Sequence, residues 1–512
     1  MTDKPKSVYY ITTPIYYVND VPHIGHAYTT VAADVMARYQ RLLGREVFFL
    51  TGTDEHGVKI EKTAQQKGVT PRELVDQVVK RFIYLWEVLN ISHDDFIRTT
   101  EDRHSRAVLT FFKAVQENQD IYLGSYEDWY CVPCETFWTD KQLDNGNCPE
   151  CGRPAERLKE ESYFFRMSKY QQRLLEHLDE HPDFILPPAK RNEILSFVRE
   201  ELRDLSISRT SFTWGIPVPD HEKHVIYVWF DALINYLTAA GYPDDPERFA
   251  RLWPADVHLI GKDILRFHAV YWPTFLFAAG LPLPKKVFAH GWWTVEGEKM
   301  SKSLGNVIDP VQVAEEYGVD AFRYFLLREV PFGLDGDFSQ AAMKGRLNSE
   351  LANDLGNLFS RSISMISKYR QGVIPVPQPE DQRYREFAAL ADEVFHEVAA
   401  GMDDLAFSRV LQSIWKLVVR GNKFIDQQAP WQLAKDESQS ASLDQVLYCI
   451  AEVLRLLSVY LLPFMPDKAA AMARQLGVTD QPDQCGPQLF SWGRLAAGVV
   501  VEPGQVLFPR LD

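Results

Sequence analysis

Residues 7–52, "SVYYITTPIYYVNDVPHIGHAYTTVAADVMARYQRLLGREVFFLTG", carry the pattern from which the fold class follows. Runs of aromatic and β-branched residues at 7–18 and 46–52 are typical of strands. Between them, apolar residues such as Ala27, Val31 and Val35 recur at helical spacing. Strand, helix and strand in this order predict a βαβ unit, and therefore a parallel sheet.

Outward from this segment, the alternation of strands and helices is interrupted once. Residues from about 120 to 215 hold turn residues and clustered cysteines, which indicates an insertion. The alternation resumes with "HVIYVWFDALINYL", "DVHLIGKDILRFHAVYWPTFLFAAG" and "KVFAHGWW". From about 340 the apolar spacing is helical almost to the end. We predict an α/β core split by an insertion and followed by a helical bundle.

The composition of the 512 residues is 46% hydrophobic and 24% charged, as in globular proteins without membrane spans. The N-terminus has no apolar stretch of signal-peptide length, and the apolar segment at 451–466 is broken by Glu452, Arg455 and Pro463. We therefore expect a cytoplasmic protein that does not contact membranes. The net charge of −15 argues against a uniformly basic nucleic-acid coat, although local basic patches could still hold RNA.

Four of the six cysteines form two Cys-x-x-Cys pairs, and prolines and a glycine nearby favour tight turns. In an intracellular chain this pattern predicts a tetrahedral zinc site rather than disulfides. Four thiolates leave no position for water, so one structural Zn²⁺ per chain is expected. The predicted ligands are Cys131, Cys134, Cys148 and Cys151.

Two histidines, His23 and His26, stand at the start of the predicted helix. A pair at this spacing with no neighbouring acid is a weak metal site, and a surface or capping role is the simpler alternative. Asn19 or Asp20 is expected to cap the helix, with Pro22 in its first turn. The histidines would then lie where a helix N-terminus favours anions, and Gly25 would let a nucleotide approach the backbone.

A second segment, "GEKMSKSLGN" at 297–306, places Lys299 and Lys302 between two glycines. Such a loop can close its ammonium groups over phosphates that gain negative charge during a reaction. A solvated charged turn is the simpler alternative for the lysines alone. Neither segment is a phosphate-binding Walker loop.

"HIGH" at 23–26 and "KMSKS" at 299–303 resemble the signature motifs of class I aminoacyl-tRNA synthetases. The split core, cysteine insertion and helical tail resemble the methionyl-tRNA synthetase family, as do "FLTGTDEHG" and "LIGKDILRFHAVYWP". The resemblance implies a Rossmann-like catalytic core in two parts (1–118 and 223–290) around a zinc-binding connective insertion (119–222). It also implies a KMSKS and stem-contact region (291–345) and an α-helical anticodon-binding domain (346–512).

The resemblance implies that methionine is activated with ATP and Mg²⁺ to methionyl-adenylate and then transferred to the terminal adenosine of tRNA(Met), including the initiator tRNA. The histidines and both KMSKS lysines would then be catalytic. The residues implied to bind ATP are His23, Gly25, His26, Lys262, Asp263, Lys299 and Lys302. Arg209 matches a family arginine near the active site.

The resemblance also implies a methionine pocket in which Asp54 holds the ammonium group and aromatic rings surround the thioether, a sulfur that packs well on rings. Core packing of the sheet is the simpler alternative for most of these side chains. The implied pocket residues are Ile15, Tyr17, Asp54, Trp229, Ala232, Leu233, Tyr236, Ile264, His268 and Trp272.

In the helical tail, "GNLFSR" and "QQAPWQLAK" resemble the anticodon-reading helices of the family. Trp431 would stack on an anticodon base, while Asn357 and Arg361 would hydrogen-bond to base edges. A tryptophan buried between helices is an equally good interpretation of the Ala-Pro-Trp turn.

Three other functions remain as alternatives. A synthetase for leucine, isoleucine or valine would carry a large editing insertion, for which the stretch between His26 and Lys299 is too short. A small nucleotidyltransferase would need neither the cysteine module nor the helical tail. Intact signature motifs argue against a non-catalytic tRNA-binding protein. We expect a monomer, because the chain ends soon after the bundle.

Overall fold

The computed structural model describes residues 8–18, 21–131, 136–138, 140, 142–149, 151–299, 306–478, 485–502, 504 and 506–511. The strands are β1 Tyr9–Tyr17, β2 Val47–Asp54, β3 Asp95–Arg98, β4 Ile121–Cys131, β5 Thr136–Trp138, β6 Glu156–Phe165, β7 Ile185–Leu186, β8 Leu205–Ser206, β9 Ser208–Arg209, β10 Pro217–Val218, β11 His221–Ile226, β12 Val257–Gly261, β13 Val287–His290, β14 Trp293–Val295, β15 Glu298–Lys299 and β16 Gly336–Phe338. In these described residues, no helix is both long and apolar enough to cross a membrane.

The α-helices are α1 Ile24–Leu42, α2 Val58–Lys67, α3 Pro71–Val88, α4 Asp102–Glu117, α5 Gln171–Glu180, α6 Pro188–Arg199, α7 Val228–Leu233, α8 Asn235–Ala240, α9 Pro246–Leu252, α10 Trp272–Ala278, α11 Pro310–Tyr317, α12 Val319–Arg328, α13 Gln340–Arg346, α14 Asn357–Arg370, α15 Gln382–Asp403, α16 Phe407–Gln428, α17 Pro430–Leu433, α18 Ser440–Leu461 and α19 Pro466–Gln475. The segments Phe267–Tyr271 and Leu347–Gly356 are π-helical.

The chain forms two compact units. The first is drawn from Met1–Pro22, Val47–Trp86 and His93–Gly291, and the second from His23–Glu46, Glu87–Ser92 and Trp292–Asp512. The chain therefore passes between the units several times.

The first unit contains a six-stranded sheet in the order β3-β2-β1-β12-β13-β7, and each neighbouring pair of strands is parallel. The predicted pairing of the first two strands is confirmed, with Tyr9 opposite Val47 and Tyr17 opposite Asp54. The α/β class and the Rossmann-like parallel sheet are thus confirmed. From β1 the chain first adds β2 and β3 on one side of the sheet, and later adds β12 and β13 on the other side, so the strand order reverses between β1 and β12.

Two details of this unit differ from the sequence-based prediction. The segment 185–186, within the predicted insertion, forms β7 and adds the sixth strand to the parallel sheet. Two residues are too few for a hydrophobic period to reveal a strand. The run beginning "HVIY" was expected to resume the core, but β11 joins β9 and β10 in a separate antiparallel sheet.

The remainder of the predicted insertion holds an antiparallel sheet in the order β5-β4-β6-β8. The long pair β4 and β6 runs in register from Ile121 opposite Phe165 to Tyr130 opposite Glu156. This ribbon carries the first cysteine at its tip, because β4 ends at Cys131.

The second unit is largely helical, as predicted for the chain beyond about 340. Its core includes a buried ion pair in which Arg323 Nη2 donates to Asp34 Oδ2 at 2.6 Å, with both side chains fully buried. Arg323 also donates to the carbonyls of Leu89, Pro463 and Phe464. Burial alone would raise the pKa of Asp34, but nearby arginine charges and hydrogen bonds from Ser92 hold it below its ordinary value. The arginine thus fastens α1 to α12 and to the turn after α18.

Candidate active site

The two histidines of the HIGH motif cap α1 themselves. His23 is the N-cap residue, with an extended backbone at φ −132° and ψ 176°. Its ring Nδ1 accepts a hydrogen bond from the Gly25 N–H at 3.1 Å, and the Nδ1 of His26 accepts one from the His23 N–H at 3.0 Å. This reciprocal pair is a capping box in which imidazoles replace the usual Ser/Thr and Glu/Gln.

The predicted cap was therefore wrong. Asn19 and Asp20 lie outside the described residues, and Pro22 precedes the cap instead of entering the first turn. Ranking rules for caps favour Ser, Thr, Asp and Asn, so the sequence pointed to the wrong side chains.

The capping bonds also set the protonation of both rings. Because each Nδ1 accepts from a backbone N–H, the ring proton of a neutral imidazole must be on Nε2. Burial, and then the charge of neighbouring His23, lower the pKa of His26 well below its usual value. The ring centroids of the two histidines are 3.9 Å apart. The helix N-terminus thus presents two neutral Nε2–H donors, which suits the stabilisation of an anion.

Gly25 leaves room for the folded-back ring of His23. A Cβ atom there would lie 3.0 Å from His23 Cε1 and 3.1 Å from its Nδ1. These separations are tighter than most contacts of real Cβ atoms, so a larger residue would push the His23 ring away from its capping position. The sequence predicts that this glycine lets a nucleotide approach the backbone. The structure shows that it also makes room for the His23 ring, which folds back over the helix N-terminus.

The segment that leads to KMSKS is a hairpin of β14 and β15. Thr294 pairs with Lys299, and the turn uses Glu296 at φ 52° and Gly297 at φ 80°. Asp337 fixes the turn, because its Oδ1 accepts from Gly297 N–H at 2.8 Å and Thr294 Oγ1 at 2.6 Å. Lys299 ends β15, whereas Lys302 lies outside the described residues.

Several predicted site residues lie at the carboxyl edge of the parallel sheet. Ile15 and Tyr17 are at the end of β1, Asp54 ends β2, and Lys262 and Asp263 follow directly after β12. Tyr17 is opposite Asp54, whose side chain is only 3% exposed. In open α/β sheets, ligands bind at this edge where the strand order reverses, here between β1 and β12.

Four of the predicted pocket residues, Trp229, Tyr236, His268 and Trp272, form one contiguous group of rings. The Trp229 ring stacks on Phe267 with centroids 3.7 Å apart and meets His268 edge-on at 6.2 Å. His268 Nδ1 donates to the Ile264 carbonyl at 3.0 Å, and Tyr236 Oη donates to His268 Nε2 at 2.8 Å. Burial lowers the pKa of His268 to about 4, so this imidazole is neutral.

The remaining predicted pocket residues are also in this region of the first unit. Ala232 and Leu233 are buried on α7, and Trp272 is fully buried at the start of α10. Trp272 lies 6.0 Å from Tyr236 by ring centroids. The structure therefore brings these four rings together, and their burial is also what core packing would produce.

His258 belongs to the same network but was missed by sequence reasoning. Its Nε2 accepts from Trp272 Nε1 at 3.3 Å, its Nδ1 donates to Thr12 Oγ1 at 2.8 Å, and its ring stacks on Tyr236 at 4.1 Å. Burial lowers its pKa well below the usual value. The only sequence signal was a histidine inside the apolar strand "DVHLIG", where the polar ring needs partners.

A second buried network was also missed. Asp231 accepts from His56 Nδ1 at 2.7 Å and from His104 Nε2 at 2.8 Å. Burial opposes ionisation, but these two imidazoles outweigh it and lower the pKa of Asp231 to about 2. Asp231 thereby anchors α7, the helix that also carries the predicted pocket residues Ala232 and Leu233.

Arg209, on β9, is held in a fixed buried position. Its Nη1 donates to Ser206 Oγ at 2.8 Å and to the Ser208 carbonyl at 2.6 Å. Its guanidinium also lies over the Tyr227 ring, 4.6 Å from the centroid. A cation–π contact of this kind retains a desolvated positive charge near α7.

Three of the four predicted zinc ligands are brought together. The sulfurs of Cys131, Cys148 and Cys151 all lie within 4.8 Å of one another. The Cys131 and Cys151 sulfurs are 3.5 Å apart, close to the ~3.8 Å expected between thiolates at ~2.3 Å from one tetrahedral ion. Gly152, at φ 68°, donates to the Cys148 carbonyl and closes a tight knuckle. Cys134 lies outside the described residues.

In the second unit, the side chain of Trp431 is 41% exposed, so the alternative of a tryptophan buried between helices is wrong. Asn357 is exposed at the start of α14, and Arg361 follows one turn later. Arg361 donates to Asp426 Oδ1 at 3.0 Å and to the Asn422 carbonyl at 2.9 Å. These three residues can offer an aromatic face, an amide and a guanidinium.

A parallel sheet with polar residues at its carboxyl edge, a helix capped by HIGH and a hairpin leading into KMSKS define a class I aminoacyl-tRNA synthetase. The family "tRNA synthetases class I (M)" matches residues 9–158 and 153–363, and "Anticodon binding domain of methionyl tRNA ligase" matches residues 376–512. The chain belongs to the methionyl-tRNA synthetase family, and its enzymatic activity is that of a methionine–tRNA ligase.

Individual relatives agree with this assignment. The methionine–tRNA ligase of Caldanaerobacter subterraneus subsp. tengcongensis is 54% identical over 508 residues, covering 99% of this chain and 79% of the relative. That of Clostridium perfringens is 53% identical over 509 residues, covering 99% and 78%. The solved Mycobacterium tuberculosis methionyl-tRNA synthetase in complex with methionyl-adenylate is 46% identical, with a TM-score of 0.95 over 98% of this chain and 100% of that one.

Proposed function

We propose that the chain uses the residues assigned above to form methionyl-adenylate. It then transfers the methionyl group to the 3′-terminal adenosine of tRNA(Met), including the initiator tRNA, with release of AMP. ATP would be held by His23, Gly25, His26, Lys262, Asp263, Lys299 and Lys302. The observation that carries this proposal is the pair of neutral Nε2–H imidazoles fixed at the N-terminus of α1.

In the first step, a methionine carboxylate oxygen attacks the α-phosphorus of ATP, and the bond to the bridging oxygen of the β-phosphate breaks to release pyrophosphate. Negative charge develops on the phosphate oxygens during this displacement. His23 and His26 can donate hydrogen bonds to those oxygens without a change in protonation, and the lysines supply positive charge. Mg²⁺ would accompany the ATP as part of the substrate.

We propose that Asp54, with the pocket residues Ile15, Tyr17, Trp229, Ala232, Leu233, Tyr236, Ile264, His268 and Trp272, binds L-methionine. Neutral His268, held between Tyr236 and the Ile264 carbonyl, would give a rigid wall that does not charge near neutral pH. Aromatic rings around the thioether favour sulfur over a purely aliphatic group. Arg209 would keep positive charge near the same helix.

The role of the KMSKS loop is tested by Lys302→Ala. Since an interaction made only in the transition state appears in kcat, adenylate formation should slow ten- to a hundredfold while the KM for ATP changes little. ATP–pyrophosphate exchange measures both constants. Lys113→Ala, which alters an exposed lysine on α4, is the matched control. An effect confined to KM would instead make Lys302 a ground-state phosphate clamp.

We propose that the cysteine cluster binds one structural Zn²⁺ through Cys131, Cys134, Cys148 and Cys151. The three described sulfurs fit a tetrahedral thiolate site in their spacing and in the Gly152 turn. Bound zinc would fasten the tip of the β4–β6 ribbon to the knuckle at 148–151, and a closed thiolate shell gives it no catalytic position.

Zinc content is expected to be one tightly held ion per chain after dialysis against a weak chelator. Cys148→Ser should lose that ion and lower the unfolding temperature, because structural zinc contributes folding energy. Cys485→Ser changes an exposed cysteine outside the cluster and should retain the zinc. Full zinc content in Cys148→Ser, measured by elemental analysis, would exclude this ligand set.

We propose that Trp431, Asn357 and Arg361 read the anticodon of tRNA(Met). The exposed indole could stack on a loop base, while the amide and guanidinium reach base edges. Arg361, which is 28% exposed, would first leave Asp426, and this costs little because the Asp426 carboxylate is 65% exposed to water.

Trp431→Ala should lower tRNA charging with little change in tRNA-independent pyrophosphate exchange. Loss of one stack costs about 1–3 kcal/mol, which is roughly a five- to 150-fold loss of kcat/KM for tRNA. Trp431→Phe keeps an aromatic face and should recover most of the charging. Val419→Ala removes another exposed apolar side chain from the bundle and should leave both assays unchanged. Equal losses in both assays would contradict the anticodon role.

We also propose that the protein acts as a monomer in the cytoplasm. The predicted segments at 1–118, 119–222, 223–290, 291–345 and 346–512 remain our proposal for its functional domains.

A further inference from the structure

Three side chains of types that can bind a metal converge in the first unit. They lie on strands that carry none of the residues proposed to bind ATP or methionine. They are Glu161 on β6 and His221 and His224 on β11. One ligand atom from each lies within 4.8 Å of the other two. The rings of the two histidines are 4.4 Å apart by centroids.

The closest pair of donors already has metal-site spacing. His224 Nε2 lies 3.3 Å from Glu161 Oε1. A tetrahedral ion with bonds of ~2.0–2.1 Å would place two ligands about 3.3–3.4 Å apart. The separation therefore fits either a hydrogen bond in the absence of metal or two corners of one coordination shell.

Both imidazoles are oriented through their other ring nitrogen. His221 Nδ1 lies 3.0 Å from the Tyr163 hydroxyl, and His224 Nδ1 lies 3.0 Å from Ser208 Oγ. Ser208 is itself fixed, because its Oγ accepts from the Tyr163 N–H at 2.8 Å. Hydroxyls that engage Nδ1 leave the Nε2 atoms for a metal, and such outer contacts are characteristic of histidine ligands.

The charges around the cluster are also favourable. His224 is fully buried, and Glu161 Oε1 faces its Nε2. Glu161 supplies one negative charge and is 45% exposed. Lys223 Nζ donates to Glu161 Oε1 at 3.0 Å and is the cation that a metal would have to displace. Because Lys223 is 62% exposed, this pair gives little resistance.

We propose that Glu161, His221 and His224 form a second divalent transition-metal site, selective for Zn²⁺ over Mg²⁺ and Ca²⁺. Two imidazoles and one carboxylate suit Zn²⁺, whereas Mg²⁺ and Ca²⁺ require oxygen ligands. Three protein ligands leave a coordination position for water, unlike the thiolate cluster. The site is weaker than the thiolate site, because Lys223 competes for the carboxylate.

The location of this site suggests what binding would do. β11 leads into α7 and the proposed methionine pocket, because His224 precedes Val228 by four residues. A metal bridging Glu161 to the two histidines would fasten β6 to β11. We therefore expect Zn²⁺ to raise the unfolding temperature as its concentration exceeds the dissociation constant.

The test is a Zn²⁺ titration of the purified chain whose thiolate site is already loaded, at pH 7.5, by calorimetry and by competition with a chromogenic chelator. Wild type should bind a second equivalent. Glu161→Gln and His221→Gln should each weaken that equivalent at least tenfold, since even loss of an outer-shell partner costs ten- to a hundredfold. Lys223→Ala should tighten it. Mg²⁺ should not compete.

Two further variants help to interpret the titration, one as a control and one as a test of the contact that orients His221. His396→Ala removes an exposed histidine near Asp392 that has no third donor among the described residues, and it should not alter the titration. Tyr163→Phe keeps the ring but removes the hydroxyl on His221, and it should weaken the second equivalent. The proposal is overturned if wild type shows no second equivalent at millimolar Zn²⁺, or if Glu161→Gln and His221→Gln, folded as judged by circular dichroism, titrate like wild type.

Discussion

The double variant His23→Asn, His26→Gln, which replaces both HIGH histidines, should lose most of its adenylate formation and keep its fold. Asparagine is among the best N-cap residues, and glutamine at the third position completes an ordinary capping box. The double variant therefore keeps the capping bonds now made by the two Nδ1 atoms. What it loses is the pair of imidazole Nε2–H donors. Loss of a single preorganised donor costs about 10²–10³ in kcat, so the pair should cost at least that.

The measurement is single-turnover formation of methionyl-adenylate, with the unfolding temperature of the same preparation as control. His23→Ala serves as the contrasting variant, because it removes the cap as well and should also destabilise α1 by about 1 kcal/mol. If the Asn/Gln variant retained activity within a fewfold of wild type, the histidines would be structural caps only.

The burial of His26 also determines how adenylate formation should depend on pH. Burial, and then neighbouring His23, hold the pKa of His26 well below 6.5, so acidification from pH 7.5 to 6 should not charge this ring. The pH profile of the adenylation rate should therefore have no inflection near pH 6.5 that depends on His26. Wild type and His26→Gln should have profiles of the same shape in this range. An inflection at that pH, absent from the variant, would mean that His26 acts as an ordinary exposed imidazole.

Much of the fold was predictable because it depends on local periodicity. The runs at 7–18 and 46–52 became β1 and β2, and the helical spacing beyond residue 340 became a bundle. Cysteine spacing predicted a cluster whose three described members do converge. These features depend on residues near one another in sequence, and short-range rules describe them well.

What could not be predicted depends on partners distant in the chain. Tyr10 donates to the Tyr236 carbonyl at 2.8 Å, and Thr12 meets His258. No spacing rule connects such residues. β7 is too short to carry a period, and β11 looks like a core strand although it pairs with β9 and β10. The histidine cap was missed because cap statistics favour Ser, Thr, Asp and Asn over imidazole.

In the proposed methionine pocket, the charged group expected to contribute most to binding is Asp54. It ends β2 at the carboxyl edge of the sheet, opposite Tyr17, with 3% of its side chain exposed. In our proposal it binds the substrate ammonium away from water. Removing one partner of a buried ion pair costs about 3–5 kcal/mol, because the remaining charge stays desolvated.

Asp54→Asn should therefore raise the KM for methionine by about 10²–10³-fold or more, since each 1.4 kcal/mol is a factor of ten. The amide is nearly isosteric with the carboxylate, so the KM for ATP and the unfolding temperature should stay close to wild type.

A methionine analogue without the amino group sharpens the test. It has no ammonium to pair with, so Asp54→Asn should bind it at least as tightly as wild type, in which the buried carboxylate would be left without a partner. If the variant weakened both ligands and ATP equally, and melted earlier, Asp54 would support the sheet edge rather than the substrate. If only methionine binding collapsed, the energetic penalty would belong to the ammonium–carboxylate pair, and the specificity for an α-amino acid would rest on this single buried charge.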